Sequence, residues 1–298
     1  MRHHLRYAAV LALAGAVAAP LLAQGQAAAP EPAAQLLNVK GSVEVRRAGE
    51  ARPATLLMTL QPGDVVRVRP GGAAEVVLTG TGARFGLSSG SAAQVNASGL
   101  TRRSGAAPKA LRKLALPNPP VRSFNRRMLG LGTRGARGPD PNAPAKGTPY
   151  GAVRDFPVVL KWTGSSPEEL NVSVQDEKKT AVLETKVPGA TRELAVPDAN
   201  LEKGKFYVWT VKPAAGKAGS IGWFRVLLPQ EKTSLEFLER QTGEERSTSP
   251  DNPSPILLLA QTYERFGMYD DAMNAYQSAA QMRPNDPGLQ DAMKRLTF

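Results

Sequence analysis

The hydrophobic period of this chain changes once, and that change limits what the chain can build. From about residue 36 to 227, apolar residues recur at every second position in short runs broken by Gly and Pro; from about 235 onward they recur at helical spacing. The pattern implies a multidomain protein, mainly β with an α-helical C-terminus. There is no cysteine among the 298 residues, so no disulfide can staple a small domain and each part must hold its own apolar core. The only histidines are His3 and His4. Beyond them the chain lacks the groups for Ser-His-Asp or Cys-His catalysis and for imidazole or thiolate zinc sites. No catalytic, cofactor-binding or metal-binding residue is therefore assigned, and binding is favoured over conversion.

Arg2, His3, His4 and Arg6 form a positive start, and Tyr7 to Ala23 is an uncharged run rich in Ala, Leu and Val. Small residues at Ala18, Ala19 and Ala23 suit cleavage. This is the pattern of a secretory signal peptide over residues 1–25, cut near Ala23, and it implies a periplasmic or secreted protein. The alternative is an uncleaved N-terminal anchor. Pro20 and the shortness of the run, against the ~20 residues that a span needs, disfavour it.

Charge is concentrated. Between Thr101 and Lys146 lie eleven Lys or Arg residues and one acid, Asp140, against a formal charge of +12 for the whole chain. The same stretch is rich in Pro and Gly, a composition that buries too little apolar surface to offset chain entropy. Residues 105–149 therefore read as a disordered basic linker. Apolar patches at Leu111–Leu116 and around Phe124 and Met128 are candidate docking elements within it. Arg112, Lys113, Arg126 and Arg127 are candidates for an electrostatic tether to anionic lipid, lipopolysaccharide or a cell-wall polymer. Nucleic acid is disfavoured, because the linker lacks the aromatic residues that base stacking requires.

Residues 35–104 form a first module of short strands. Val43 and Val45 alternate with polar residues, and Pro62-Gly63 and Pro70-Gly71 mark turns. Asp64 reads as the cap of its turn, and Glu44 and Glu75 as solvated strand residues. The ordered set Gly41-Ser42-Val43-Glu44-Val45, Leu60 to Asp64, Ala74 to Leu78 and Gly82 to Leu87 resembles the FecR-like domain of bacterial envelope proteins. The resemblance implies a small all-β fold. Its best-known members relay signals to a cytoplasmic sigma factor, which needs a cytoplasmic segment; only six residues precede the apolar run here. A freestanding version is expected, with a sensor role as an alternative.

Residues 150–228 return to alternation, as in Leu170, Val172 and Val174, and imply a β-sandwich. Trp162, the series Leu201, Gly204 and Tyr207, and Trp209 resemble a fibronectin type III-like or immunoglobulin-like domain. Trp162, Tyr207 and Trp209 read as core or corner residues. Trp223 is the candidate for an exposed ligand contact, through which the sandwich would read glycan or peptidoglycan. Glu168 and Glu169 are the one nominated half of a carboxylate hydrolase pair, with no partner acid.

Residues 230–298 are helical. Ala260, Tyr263, Gly267, Tyr269, Ala272, Tyr276, Ala279 and Pro284 resemble one tetratricopeptide repeat, with residues 286–296 as a capping helix and Ile256 in the usual Trp slot. A lone repeat cannot bury both of its faces. The missing cover is expected from the helix around Leu235, from the cap, from a second copy or from a partner. Tyr263, Tyr269, Met273 and Tyr276 are the candidate protein-binding residues. The leading expectation is a non-enzymatic exported adaptor that meets envelope proteins through this repeat. No oligomeric state is assigned.

Overall fold

In the computed structural model, residues 33–114, 145–163, 166–214 and 219–297 are described. The signal-peptide reading, Arg126 and Arg127 lie outside them. The first module is two packed five-stranded sheets. One has the order β10 (Lys109–Ala110), β7 (Arg84–Leu87), β6 (Ala73–Leu78), β1 (Ala34–Lys40), β4 (Thr59–Leu60). The other has the order β3 (Glu50–Pro53), β2 (Val43–Arg47), β5 (Val65–Val68), β8 (Ala92–Asn96), β9 (Gly99–Ser104). Between them lie Leu36, Val43, Val45, Val66, Val68, Val76, Leu78 and Val95. Period-two alternation puts these residues inward and sends Glu75 and Val77 to the far side of β6. That side is also buried.

The stretch read as linker is partly built into the fold. Lys109–Ala110 pairs with β7, Leu111 N–H donates to the Arg84 carbonyl, and Leu114 is fully buried. At the other end, Ala145–Val153 is strand β11. It runs parallel to β17 (Ser220–Val226) and also pairs with β12 (Val158–Lys161). β11 thereby joins two sheets. One continues through β16 (Phe206–Pro213), β13 (Leu170–Asp176) and β14 (Ala181–Val187); the other through β12 to β15 (Glu193–Val196). The result is a β-sandwich around Leu160, Trp162, Val172, Val174, Tyr207, Trp209 and Phe224. Its corner forms as the sequence implies: the Tyr207 hydroxyl accepts the Glu202 N–H at 2.7 Å.

Four helices follow: α1 (Pro229–Thr248), α2 (Ser254–Phe266), α3 (Tyr269–Met282) and α4 (Pro287–Leu296). Gly267, in the left-handed region at φ 78°, ends α2 and turns the chain into α3. Asp286 caps α4 by accepting from the Gly288 and Leu289 N–H groups. α1 runs through Gly243 without a break, and Phe237 on it is exposed.

The cover for the hairpin comes from the chain itself. One apolar cluster joins Leu235 and Leu238 of α1, Leu257, Tyr263 and Phe266 of α2, Ala272 and Tyr276 of α3, and Leu289 and Leu296 of α4. It also takes in Leu37, Leu56, Val77 and Leu114 of the first module, and Ala152 and Leu227 of the sandwich. Pro32–Phe298 is one compact unit.

Two glycines permit close approaches between the β modules and the helices. A Cβ at Gly288 would lie 1.8 Å from the Leu56 carbonyl oxygen, and one at Gly151 would lie 2.0 Å from the Gly267 carbonyl oxygen. Gly151→Ala should therefore cost about 1–3 kcal/mol through forced displacement of the sandwich from the helices. Gly243→Ala, with open space in mid-helix, should instead stabilise by roughly 0.5–1 kcal/mol. Denaturant midpoints of the two variants check the opposite signs, and a neutral Gly151→Ala would contradict the close seam.

Candidate functional site

The residues nominated for partner binding line an internal seam. Tyr276 is fully buried, and its hydroxyl donates to Glu264 Oε2 at 2.9 Å. The buried Tyr263 donates to Glu239 Oε1 at 2.6 Å and accepts from Arg154 Nη2 at 3.2 Å. Met273 packs on the same cluster. These three side chains hold the chain's own parts together, which corrects their reading as a free docking surface. The physical reason is proximity: the β modules are covalently attached and cover the hairpin faces first.

Trp223 is also corrected. It is 2% exposed and lies under Tyr150, Phe206 and Tyr269, with ring centroids at 6.0, 5.8 and 6.3 Å. Alternation on β17 sends Phe224 and Val226 into the sandwich core and Trp223 and Arg225 toward the helices. The glycan reading through an exposed Trp223 therefore loses its contact. The structure does bring Trp223 and Tyr269 together, although the sequence reading put them in separate modules. Above them opens a cleft of about 350 Å³, lined by Tyr150, Arg154, Asp155, Tyr269, Asp270 and Asp271 among others. Most of its charge is already committed. Arg154 is held by Glu239 at 2.5 and 3.0 Å. Asp155 is held by Lys232 and Lys203, which keep its carboxyl down at about 2. Burial pushes the Asp271 carboxyl up.

Between the first module and the helices, the seam is ionic. Glu75, read from sequence as solvated, is buried on the helix side of β6. Arg84 Nε donates to it at 2.6 Å, while the two Nη atoms reach the Glu245 carboxylate of α1 at 2.7 and 2.6 Å. Burial pulls the Arg84 guanidinium down; the bonds to Glu245 and Glu75 outweigh it and hold it above its ordinary value. Asn252 links Glu75 to Asn38, and Arg283 donates to Asn38. Arg112, a nominated tether residue, is exposed but pairs with Glu244 at 3.1 Å. Lys113 is exposed. Asp64 caps its turn as expected, accepting the Gln61 N–H at 2.8 Å, and is also gripped by Arg47 at 2.7 Å. Glu169 lies on the surface, 4.0 Å from Lys186.

Sequence reasoning missed a surface. On β2 and β5, the residues that alternate with core valines are Glu44, Arg46 and Arg67, and they face away from the helices. Arg69 and Arg103 join them on that face. The signal was present in the alternation, but charge was counted along the chain rather than across strands.

No family model matches the chain, and no curated protein matches it. Among solved structures, the FN1–FN3 domains of chicken CNTN1 align over 64% of this chain and 58% of that one, at 10% identity and a TM-score of 0.22. A beta-1,2-glucanase from Parabacteroides distasonis aligns over 84% and 48%, at 11% identity and a TM-score of 0.23. This chain thus spans less than two thirds of either structure, and likenesses at this level establish neither a fold nor an activity.

Two outcomes follow from the seam. Arg84→Ala leaves Glu75 buried without its counter-charge and should cost about 3–5 kcal/mol, read as a fall in denaturant midpoint. The Glu239 carboxyl is pushed up by burial, but the bonds from Arg154 and Tyr263 win and hold it below its ordinary value. Its stabilisation is thus complete above the unfolded carboxylate value of about 4.3 and is lost as pH falls through the lower folded value. Glu239→Gln should be less stable at pH 7 and should lose less on acidification from about pH 5 to 2. Parallel acid-unfolding slopes in variant and parent would contradict this.

Proposed function

We propose that this protein is a non-enzymatic, exported adaptor of the bacterial envelope. Its first module is read as FecR-like, its sandwich as fibronectin type III-like and its helical hairpin as tetratricopeptide-like. The observation that carries the reading is the shared helical layer. The hairpin shares one apolar cluster with α1, α4 and residues of both β modules, so two different β surfaces are held in one compact unit. That arrangement suits a part that joins other things. The strand arrangement, with β12 and β15 opposite β14, β13, β16 and β17 and a tyrosine corner at Tyr207, supports the sandwich assignment. The basic stretch between Leu114 and Ala145 supports a role at an anionic surface; its Arg126 and Arg127 lie outside the described residues.

Export rests on the N-terminal pattern alone. No helix among the described residues is long and apolar enough to cross a membrane. The envelope partner is expected at an outward sheet face rather than at the buried Tyr263 and Tyr276. N-terminal sequencing of protein from the periplasmic fraction should give a start near Gln24. A photo-crosslinker at Lys186, exposed on β14, should yield a discrete envelope product that one at buried Tyr276 does not. A functional form that keeps Met1 in the cytoplasm, or turnover of a substrate by the purified chain, would overturn the proposal.

A further inference from the structure

The outer face of the sheet β3-β2-β5-β8-β9 is a second, rigid basic surface. Glu44 sits opposite Arg67, and Arg46 opposite Val65, which in turn lies opposite Gln94. Arg103 of β9 reaches across to Gln94 Oε1. Arg69 clamps both Glu44 oxygens, at 2.9 and 3.0 Å. Glu44 is the only carboxylate on this face among the described residues, and Arg69 already takes it. Arg46, Arg67 and Arg103 therefore have no carboxylate partner among the described residues. Strands lie about 4.8 Å apart, so three spacings from β2 to β9 spread these guanidinium groups over roughly 14 Å. Like charges on neighbouring strands repel, so the face gains from an external anion.

We propose that this arginine face docks on the phosphate-bearing surface of an anionic lipid bilayer. A planar guanidinium donates two parallel N–H groups to phosphate oxygens. The side chains around the arginines, Val65, Gln94, Asn96 and Thr101, carry no ring. There is no platform for stacking bases, which disfavours nucleic acid, and no bulky apolar side chain to insert. The contact is peripheral and electrostatic. The opposite sheet of the module is turned to the helices through Leu37 and Val77, so this face is the one left outward. The docking surface adds a lipid contact to the adaptor reading, and its binding chemistry does not depend on export.

The test uses the full purified chain sedimented with vesicles of phosphatidylglycerol in phosphatidylcholine at low salt. Each arginine near such a surface contributes roughly fivefold to partitioning. The combined Arg46→Gln, Arg67→Gln and Arg103→Gln variant should therefore bind about a hundredfold more weakly, with a shallower salt dependence and unchanged melting. Lysine at the same three positions should restore binding to within several-fold, which separates charge from folding. Neutralising Arg122, Arg126 and Arg127 instead should leave the contribution of the face in place. The inference is overturned if the glutamine variant binds as the parent does, if only the basic segment matters, or if the parent binds a soluble acidic polysaccharide or polyphosphate but not vesicles. None of these outcomes bears on signal cleavage or on the crosslinked partner, so this inference and the adaptor reading can fail separately.

Discussion

A helical hairpin has two apolar faces and cannot bury both alone. In this chain that constraint is met without a second molecule. α1 and α4 flank the hairpin, the far side of the β1–β6 sheet supplies Leu37 and Val77, and β11 supplies Ala152. Each element would leave apolar area in water if separated. Burial at about 25 cal/mol per Å² drives them together, and the backbone bond from Ala152 N–H to the Gly267 carbonyl at 2.8 Å fixes where the sandwich lands.

Polar groups decide the register of this assembly. Apolar faces slide with little penalty, whereas a buried guanidinium tolerates few positions. Arg84 is held by carboxylates from its own sheet and from α1, and Arg154 is gripped by Glu239 beside Tyr263. The Asp286 carboxylate caps α4 with one oxygen and accepts the Leu56 N–H with the other, at 3.2 Å. One side chain thereby ends a helix and positions a loop of the first module.

The strands built on alternating valines were legible in the sequence, as were the helical hairpin, its Gly267 turn and the tyrosine corner. Each is set by local pattern. The missed strands β3, β9 and β11 are polar or interrupted by Gly and Pro, and the first two lie at sheet edges. Backbone pairing makes them strands, and burial leaves little mark on their residue types. Tyr263, Tyr276 and Trp223 were legible as aromatic positions but not by what they touch. Those neighbours are distant in sequence, and one sequence does not encode which buried face meets which. Glu75 misled for the same reason: a carboxylate on a strand reads as solvated until Arg84 and a helix close over it. The arginine face was present in the alternation of β2 and β5, but the register that sets Arg67 beside Glu44 was not.

The parallel pairing of β11 with β17 has a mechanical side. The basic stretch enters at the N-terminal end of β11, and the chain leaves the C-terminal end of β17 directly into α1. A pull on the stretch, resisted by the helices, draws the two strands in opposite directions along their common axis. The hydrogen bonds between them then bear the load together in shear instead of opening one after another like a zipper. Tension arriving through the basic stretch thus meets the sandwich along its more resistant direction.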